Sequence, residues 1–488
     1  MGSMSCSRRD FFTWRGWPIV AITIAALGLR LYRLDMQGPW YDEAFSITNS
    51  ILPLDKLTSA VISDFTHPPL HYYTLHAWLA LFGTGTLQAR LLSVLFGTLS
   101  IPMIYLLAGR LYGRSAALLA SALLGISQLG VMYSQEARSY AMVLFLALST
   151  GYLFLLSLEE SYRLARWGFV ISAALLLYTN YYGIFLLLAL LSYVLLFRRS
   201  LGLSFAVARR CVLQLVLVLL LFTPWLASGV IVKAVASPKT DRAEQPAWFA
   251  VKASTLLSTL NRFNNGAING PINSAPRWIF LLGTLLFTVP AGLSILQARK
   301  AAMRPHTSFL LLLCLPILII VGLSAVFSVR YDVRYVLFCV GFYYILVARG
   351  LLHAQSALFR VALIVAVLAY SAPALQALYS KPYKEDYRGA LRDLSAQWRS
   401  GDCTIFWPYE TIPLQWWFDS RGQRPPQNSI IKLQEASQEN RCGRLWVVTY
   451  RRVMDPGIEA PAEALSKDFH RSERRNYFWV TVDLYARK

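Results

Sequence analysis

Apolar runs close to the length of a membrane span recur along this chain. Examples are Val212–Leu226, Phe280–Leu296 and Phe309–Val326. A helix needs about 20 apolar residues to cross a bilayer. Of the 488 residues, 56% are hydrophobic and only 15% are charged, which is too apolar for a soluble fold of this length. The sequence therefore predicts a polytopic α-helical membrane protein.

The formal net charge of +21 raises the question of a nucleic-acid partner. The Lys and Arg residues are dispersed between apolar segments and form no single stripe, so we exclude nucleic acid. Most lie in short loops that the positive-inside rule assigns to the cytoplasm. These loops carry Arg110 and Arg114; Arg163 and Arg166; Arg198, Arg199, Arg209 and Arg210; Arg299, Lys300 and Arg304; and Arg349 and Arg360. Membrane topology therefore accounts for the charge.

The topology depends on whether Pro68–Phe82 crosses the bilayer. This segment has 15 residues and contains two histidines and several aromatic residues, so we interpret it as an interfacial helix in the first outer loop. About eleven spans then remain. They are residues 17–34, 86–109, 114–133, 138–158, 164–180, 182–198, 211–229, 276–297, 307–328, 333–350 and 358–378.

An odd number of spans places the N-terminus in the cytoplasm and everything after Ser380 outside. No small-residue cleavage site follows the first apolar run, Trp17–Leu34, so we favour an uncleaved span over a secretory signal peptide. We expect a multi-pass membrane protein, with residues 1–379 as its transmembrane module. Membrane lipids are therefore expected partners.

Composition changes after Ser380, where charges become frequent and apolar runs shrink to strand length. Strands are predicted at Thr404–Trp407, Leu445–Thr449 and Tyr477–Val482, and helices at Glu385–Trp398 and Ala462–Phe469. Residues 380–488 are thus expected to form a soluble exoplasmic or periplasmic α/β domain. A second extramembrane excursion, 234–275, contains an amphipathic stretch at 248–263.

Two of the six cysteines, Cys403 and Cys442, lie in the predicted outer domain. Each precedes a predicted strand, so a disulfide between them fits an oxidising compartment. Two unpaired thiols are the alternative, because the sequence does not give the Cα separation that the bond requires.

Acidic residues are sparse in residues 1–379, and none falls at the centre of a predicted span. Those at or beyond the outer membrane surface are Asp42, Glu43, Asp55, Asp64 and Glu136. Six arginines break the positive-inside pattern and map to outer helix ends: Arg30, Arg33, Arg90, Arg138, Arg330 and Arg334. Snorkelling to the interface explains any single one equally well. Guanidinium groups hold phosphate by paired, charge-assisted hydrogen bonds, so the set indicates transfer from a phosphate-linked donor.

Four segments occur in a fixed order around these residues. They are Arg30-Leu-Tyr-Arg33-Leu-Asp35 with Trp40-Tyr-Asp42-Glu43-Ala44; His67-Pro-Pro-Leu70; Arg90-Leu-Leu-Ser93 with Gly97; and Tyr133-Ser-Gln-Glu136-Ala-Arg138-Ser-Tyr140. Together with Arg334-Tyr335 they resemble the GT-C superfamily of glycosyltransferases, specifically bacterial relatives of protein O-mannosyltransferases and lipid A aminoarabinose transferases. The likeness is dense over residues 20–190 and elsewhere extends only to the general plan.

The resemblance implies an inverting transfer of a sugar from a polyprenyl-phosphate donor to an acceptor hydroxyl on the outer face. Asp42 is then the catalytic base, with Glu43 as the next candidate, and Glu136 steadies the acceptor or a divalent cation. Glu136 in a salt bridge to Arg138 or Arg90 is the structural alternative. The implied donor-phosphate residues are His67, Arg138, Arg330 and Arg334, and further candidates are Arg30, Arg33, Arg90 and Asn180.

Two details of the resemblance limit what it implies. His67 and His71 have the i, i+4 spacing of metal ligands, but without a third ligand zinc is not favoured and the cofactor stays unassigned. Asn180 stands where similar sequences often carry histidine, and it cannot carry charge.

The acceptor class stays open among a lipid, a glycan and a protein. A transporter or lipid-glycan flippase is the main alternative, although such proteins place ionisable residues near the bilayer midplane.

Overall fold

The computed structural model describes residues 16–236, 255–266, 277–297, 304–326, 331–354, 356–407, 417, 429–436, 442–450 and 460–488. Most of the described residues before Ser380 are helical. The helices are α1 (Trp17–Leu31), α2 (Tyr41–Ser50), α3 (Leu54–Asp64), α4 (Leu70–Phe82), α5 (Thr86–Tyr112), α6 (Arg114–Ile126), α7 (Gln128–Ser134), α8 (Tyr140–Ser157), α9 (Arg163–Thr179), α10 (Gly183–Phe197), α11 (Phe205–Trp225), α12 (Ile231–Ala236), α13 (Thr255–Asn265), α14 (Arg277–Gln297), α15 (Arg304–Val326), α16 (Cys339–Leu351) and α17 (Ala357–Ser380).

Each of the eleven predicted spans overlaps one of these helices or, for residues 114–133, the pair α6 and α7. Among the described residues, five helices are long and apolar enough to cross a membrane. The pair α6 and α7, bent by 59° at Ser127, raises that number to six if it counts as one span. Helix α4 has 13 residues, which is shorter than a span. The chain is a multi-pass helical membrane protein, and we call the bent pair α6 and α7 the broken span.

Two compact units divide the chain, and each is described by itself. The first comprises Met1–Tyr32, Leu54–Thr74 and Arg90–Tyr379. At its centre lies α16, which is buried along almost its whole length, as a helix that is apolar on every side requires. Helix α17 has few buried residues and leaves its apolar surface for lipid.

One end of the first unit gathers charged loops. Arg110 pairs with Glu159, and Glu160 accepts hydrogen bonds from Arg210 at 2.8 Å and Arg166 at 2.6 Å. Both hydrogen bonds lower the pKa of Glu160, and the bond from Arg210 has the larger effect. Three loops that the positive-inside rule assigns to one side of the membrane therefore meet at one end of the helices.

The second unit comprises Arg33–Pro53, Leu75–Ala89 and Ser380–Lys488. It contains helix α18 (Tyr387–Gln397), a short helix α19 (Ala460–Leu465) and a four-stranded sheet in the order β1-β2-β4-β3. The strands are β1 (Asp402–Trp407), β2 (Arg444–Tyr450), β3 (Phe469–Tyr477) and β4 (Val480–Arg487). Strands β1 and β2 are parallel, and the other pairs are antiparallel. The predicted α/β composition of the tail is confirmed.

The strand predicted at Tyr477–Val482 is wrong in its bounds. That segment contains the turn of a hairpin, in which Phe478 and Trp479 separate β3 from β4. Strand β3 reads FHRSERRNY, too charged for the apolar pattern used to predict strands, and it lies at the sheet edge, where charges are tolerated. The helix predicted at Ala462–Phe469 ends at Leu465, because Phe469 is the first residue of β3.

Cys403 and Cys442 form a disulfide, with their Cα atoms 5.6 Å apart. Cys403 lies in β1, and Cys442 lies two residues before β2, so the bond joins neighbouring strands at their starts. Both half-cystines lie in an apolar cluster with Ile405, Leu445 and Val447. The disulfide is thus part of the core on one face of the sheet.

Candidate active site

A buried non-helical turn separates α7 from α8 and carries the acid and the arginine of the fourth motif. Ser127 ends α6 and caps α7, its Oγ accepting from the Gly130 N–H at 3.2 Å. The Arg138 N–H then donates to the Glu136 carbonyl at 2.7 Å, closing a tight turn. The Glu136 and Arg138 residues are each 4% exposed. The broken span therefore brings two charged side chains into the protein interior.

Arg138 is fixed from two sides. Its Nη2 donates to His67 Nε2 at 3.1 Å, and its carbonyl accepts from Ser93 Oγ at 3.2 Å. Arginine can only donate, so His67 Nε2 must be unprotonated and the ring proton lies on Nδ1. That nitrogen is 3.4 Å from Asp64 Oδ2. His67, which the sequence predicts as a phosphate contact, therefore lies between Asp64 and Arg138.

His71 lies one helical turn beyond His67 and is buried. Neither of its ring nitrogens makes a hydrogen bond of good geometry. The pKa of His71 is lowered to about 3. Burial is the largest cause and the nearby positive charge of Arg138 is the second, whereas the Ala137 backbone acts in the opposite direction. His71 is therefore neutral at physiological pH, and it places an uncharged imidazole beside the buried arginine.

Tyrosines and a second arginine complete the cluster. The Tyr133 and Tyr140 rings are 5.0 Å apart between centroids, and the Arg138 guanidinium lies 6.0 Å from the Tyr140 centroid. Tyr133 is within electrostatic range of Asp332, Glu136 and Arg334. The Arg334 guanidinium lies 5.6 Å from the Tyr335 ring, which packs 5.3 Å from Tyr182. We call this set, His67, Glu136, Arg138 and Arg334 with the four tyrosines, the arginine cluster.

Arg334 owes its position to a local cap. A short 3₁₀ turn, Val333–Val336, starts at Asp332, whose Oδ1 accepts from the Arg334 N–H at 3.1 Å. The Nε atom of Arg334 also lies 3.9 Å from Asp332 Oδ2. Arg330, the other predicted phosphate ligand in this region, lies outside the described residues. The cluster thus joins two of the predicted guanidinium groups, and such groups bind a phosphate diester or monoester well.

The acid pair, Asp42 and Glu43, belongs to the second unit. Both residues lie in the first turn of α2, where the helix dipole favours negative charge. Asp42 is partly exposed, whereas Glu43 is fully buried and bonded to Lys384 Nζ at 2.8 Å. The two adjacent carboxylates therefore have different environments, and of the two Asp42 is accessible to an incoming hydroxyl.

The remaining candidates have local roles. The Arg30 guanidinium donates to Ser134 Oγ at 3.2 Å, the Ala26 carbonyl at 3.0 Å and the Gly125 carbonyl at 3.2 Å, so it braces the broken span instead of reaching for phosphate. Arg90 is buried, and Arg33 is exposed with a positive φ of 55°. Asn180 Oδ1 accepts from the Tyr182 N–H at 2.8 Å, which is the packing of a helix end.

Gly97 of the third motif is explained by Arg30. A Cβ at this position would lie 2.8 Å from Ser134 Cβ and 3.1 Å from Arg30 Nε. Only glycine lets α5 approach α7 closely enough for the brace to form. The motif Arg90-Leu-Leu-Ser93 with Gly97 therefore supports the buried turn through Ser93 and Gly97.

Sequence reasoning named Asp64 among the outer acids but not its contact with His67, and it missed Asp332, the four tyrosines and Lys384. The tyrosines stand inside or beside the quoted motifs, so adjacency to the charged residues was the available signal. Among the described residues, no three of His, Cys, Asp and Glu lie close enough together to hold a metal ion.

Comparisons with known proteins fit this geometry. Residues 66–227 match the family described as dolichyl-phosphate-mannose-protein mannosyltransferase. The chain is similar in structure to ArnT from Cupriavidus metallidurans in the apo state, with a TM-score of 0.63 and 14% identity over 96% of this chain and 98% of that one. The same protein bound to undecaprenyl phosphate matches with a TM-score of 0.61 and 15% identity over 97% of this chain and 98% of that one.

A more distant likeness is to the oligosaccharyltransferase AglB from Archaeoglobus fulgidus, solved with an inhibitory peptide and a dolichol-phosphate. Its TM-score is 0.50 with 13% identity over 91% of this chain and 70% of that one. None of the curated proteins matches the sequence. At these identities the likeness establishes the fold, which extends over both units.

Proposed function

We propose that this chain, which has the fold of the GT-C glycosyltransferases, is an inverting glycosyltransferase that moves a sugar from a polyprenyl phosphate to an acceptor hydroxyl. The observation that carries the proposal is the arginine cluster, where Arg138 is buried, oriented by His67 and accompanied by Arg334. ArnT, which is similar to the chain over almost its whole length, was solved with undecaprenyl phosphate. A lipid phosphate is therefore the donor group best matched to this cluster.

In this proposal the donor phosphate binds Arg138 and Arg334. Both guanidinium groups form charge-assisted hydrogen bonds that strengthen as the phosphate gains charge on leaving. His67 keeps Arg138 oriented by accepting one of its protons, and Asp64 holds the His67 tautomer that permits this. The rings of Tyr140 and Tyr335 lie beside the guanidinium groups of Arg138 and Arg334.

Asp42 is the proposed general base. Its carboxylate takes the proton of the acceptor hydroxyl as the hydroxyl oxygen bonds to the anomeric carbon. The bond from that carbon to the phosphate oxygen breaks on the opposite face, and the polyprenyl phosphate leaves with the electron pair, so the configuration inverts. Glu136 steadies the acceptor. The difference in exposure between Asp42 and Glu43 supports Asp42 as the base.

The proposal includes the topology. Residues 1–379 form the transmembrane catalytic module, and residues 380–488 form a soluble domain on the outer face of a bacterial inner membrane. The N-terminus and the Arg198–Arg210 region then lie in the cytoplasm. Support comes from the charged loops that meet at the Arg166 end of the first unit. The acceptor is a lipid, a glycan or a protein that carries a free hydroxyl.

Purified protein in detergent, incubated with an undecaprenyl-phosphate sugar and candidate acceptors, tests the function. Mass spectrometry should detect free undecaprenyl phosphate together with a glycosylated acceptor of inverted anomeric configuration. A nucleotide-sugar donor is the control and should give no product. Movement of the donor across a vesicle membrane without any transfer would instead identify the rival transporter or flippase.

A further inference from the structure

We propose that Lys384, in the segment that follows α17, is a positioning residue that holds the acid pair in place and neutralises Glu43. The inference rests on the proposed function, because it assigns Lys384 a part in the reaction at Asp42. It also gives Glu43, the second candidate for the base, a different role from Asp42. All the contacts that carry it lie within the second unit.

The Lys384–Glu43 pair is the first step. Lys384 Nζ lies 2.8 Å from Glu43 Oε2, and the side chains are 3% and 0% exposed. A charge buried this completely needs a partner, because desolvation disfavours an unpaired charge strongly. Removing either member alone takes this ion pair away from the other, which stays buried. The pair therefore fixes the first turn of α2, which also carries Asp42.

Further contacts join the same two segments. Gln37 Oε1 accepts from the N–H groups of Tyr383 and Lys384, both at 3.0 Å, and Gln37 Nε2 donates to the Lys381 carbonyl at 3.2 Å. Arg388 donates to the Asp35 carboxylate, with its Nη2 2.7 Å from Oδ1. The loop before α2 is thus bound along its length to residues 381–388.

Residues 381–388 are in turn anchored in the sheet domain. Tyr450, at the end of β2, donates from its hydroxyl to Glu385 Oε1 at 2.9 Å. The Asp386 N–H donates to the Phe478 carbonyl at 3.0 Å, and Asp386 Oδ1 accepts from the Gly389 N–H at 2.8 Å, which caps α18. The α/β domain therefore supports, through Lys384, the helix turn that holds the proposed base.

Two single variants and their combination test the proposal, with Lys381→Met as the matched control three residues earlier. In Lys384→Met and in Glu43→Gln, kcat should fall about 10- to 100-fold with little change in the donor KM, since misplacing a catalytic group by about 1 Å costs roughly 100-fold. Combining Glu43→Gln with Lys384→Met removes both charges together, so kcat should recover at least tenfold over the worse single variant. Lys381→Met should behave as the wild type.

Hydrogen exchange supplies a readout that needs no turnover. Amide protection in Tyr41–Ser50 should drop in Lys384→Met and return in the double variant. The proposal is overturned if Lys384→Met keeps wild-type kcat and protection, or if the double variant is no more active than Glu43→Gln, which would make Glu43 itself a chemical group. Should wild-type protein transfer no sugar from any polyprenyl-phosphate donor, the proposed function fails, and the exchange data still decide whether the Lys384 contact positions α2.

Discussion

At the Arg166 end of the first unit, arginines and glutamates are partly exposed and paired with one another, whereas at the Arg138 end the charged side chains are buried. Glu160 is 73% exposed in its pair with Arg166, and Glu136 and Arg138 are each only 4% exposed. Helix α8, with 18 residues, separates the two ends by about 27 Å. At the first end, the paired side chains carry opposite charges and remain in contact with solvent. At the second end the desolvation of charge is offset by dedicated partners.

The difference indicates where a chemical task is to be sought. Burying a charge costs free energy that an exposed loop avoids, so a buried guanidinium group either braces the fold, as Arg30 does, or binds a ligand, as we propose for Arg138 and Arg334. Exposed pairs such as Arg166 with Glu160 contribute little to stability and are explained by topology. Matched substitutions at the two ends test this difference.

Among the comparisons between the two ends, the largest difference is expected between Arg138 and Arg166. Arg138→Met should lower the transfer rate by about 10²- to 10³-fold, because a preorganised donor to the leaving phosphate is lost. Arg166→Met at the other end should leave the rate within about twofold of the wild type. Turnover with purified donor and acceptor measures both. Equal losses in the two variants would contradict the assignment of the phosphate to the Arg138 end.

Packing around Arg30 gives the next effect. Gly97→Ala forces a Cβ against Ser134 and Arg30, so the free energy of unfolding should fall by about 1–3 kcal/mol, the usual range for overpacking. Gly28→Ala in α1 meets no atom within 4 Å and should stabilise by about 0.5–1 kcal/mol. Thermal unfolding in detergent compares the two. A shift of the same sign in both variants would argue against the close approach of α5 and α7.

His71 predicts an acid sensitivity of the Arg138 end. Its pKa in the folded state is lowered to about 3, so the unfolded chain binds a proton below about pH 6.5 that the native state does not. Stability is therefore lost as the pH falls through 6.5, by about 2 kcal/mol at pH 5. His71→Gln should show a smaller drop in Tm between pH 7.5 and pH 5 than the wild type. His470→Gln, on the exposed face of β3, is the control and should keep the wild-type drop.

The smallest effect is expected at the exposed pairs. Glu160→Gln removes the carboxylate that accepts from Arg166 and Arg210, both in contact with solvent. Transfer rate and donor KM should be unchanged, since the site is about 27 Å away along α8. A change in either kinetic constant would mean that the two ends are coupled and would weaken the distinction between them.

Apolar periodicity predicts where the helices lie, because each span must satisfy its own backbone hydrogen bonds within about 20 residues. It does not predict the break at Ser127, since residues 114–133 are mainly apolar on both sides of the serine that caps α7. Strand β3 is missed because an edge strand carries charges on both faces. In each case a local polar contact overrides the average composition.

Partners in the candidate site are harder to predict from sequence than the residues themselves. The motifs contain Asp42, His67, Glu136 and Arg138, but the Lys384–Glu43 contact joins residues 341 positions apart. The His67–Arg138 bond spans 71 positions. Such pairings are set by helix packing, which no local pattern encodes. The tautomer of His67 follows only once its donor is known.

Asp42→Asn tests the central claim most directly. Asparagine keeps the size and a carbonyl oxygen but cannot accept the hydroxyl proton, so kcat should fall by about 10²- to 10⁴-fold while binding of undecaprenyl phosphate stays at the wild-type level. Asp55→Asn, an exposed acid in the first turn of α3, is the matched control and should leave kcat unchanged. Near-normal turnover in Asp42→Asn with purified donor and acceptor would contradict the assignment of Asp42 as the base.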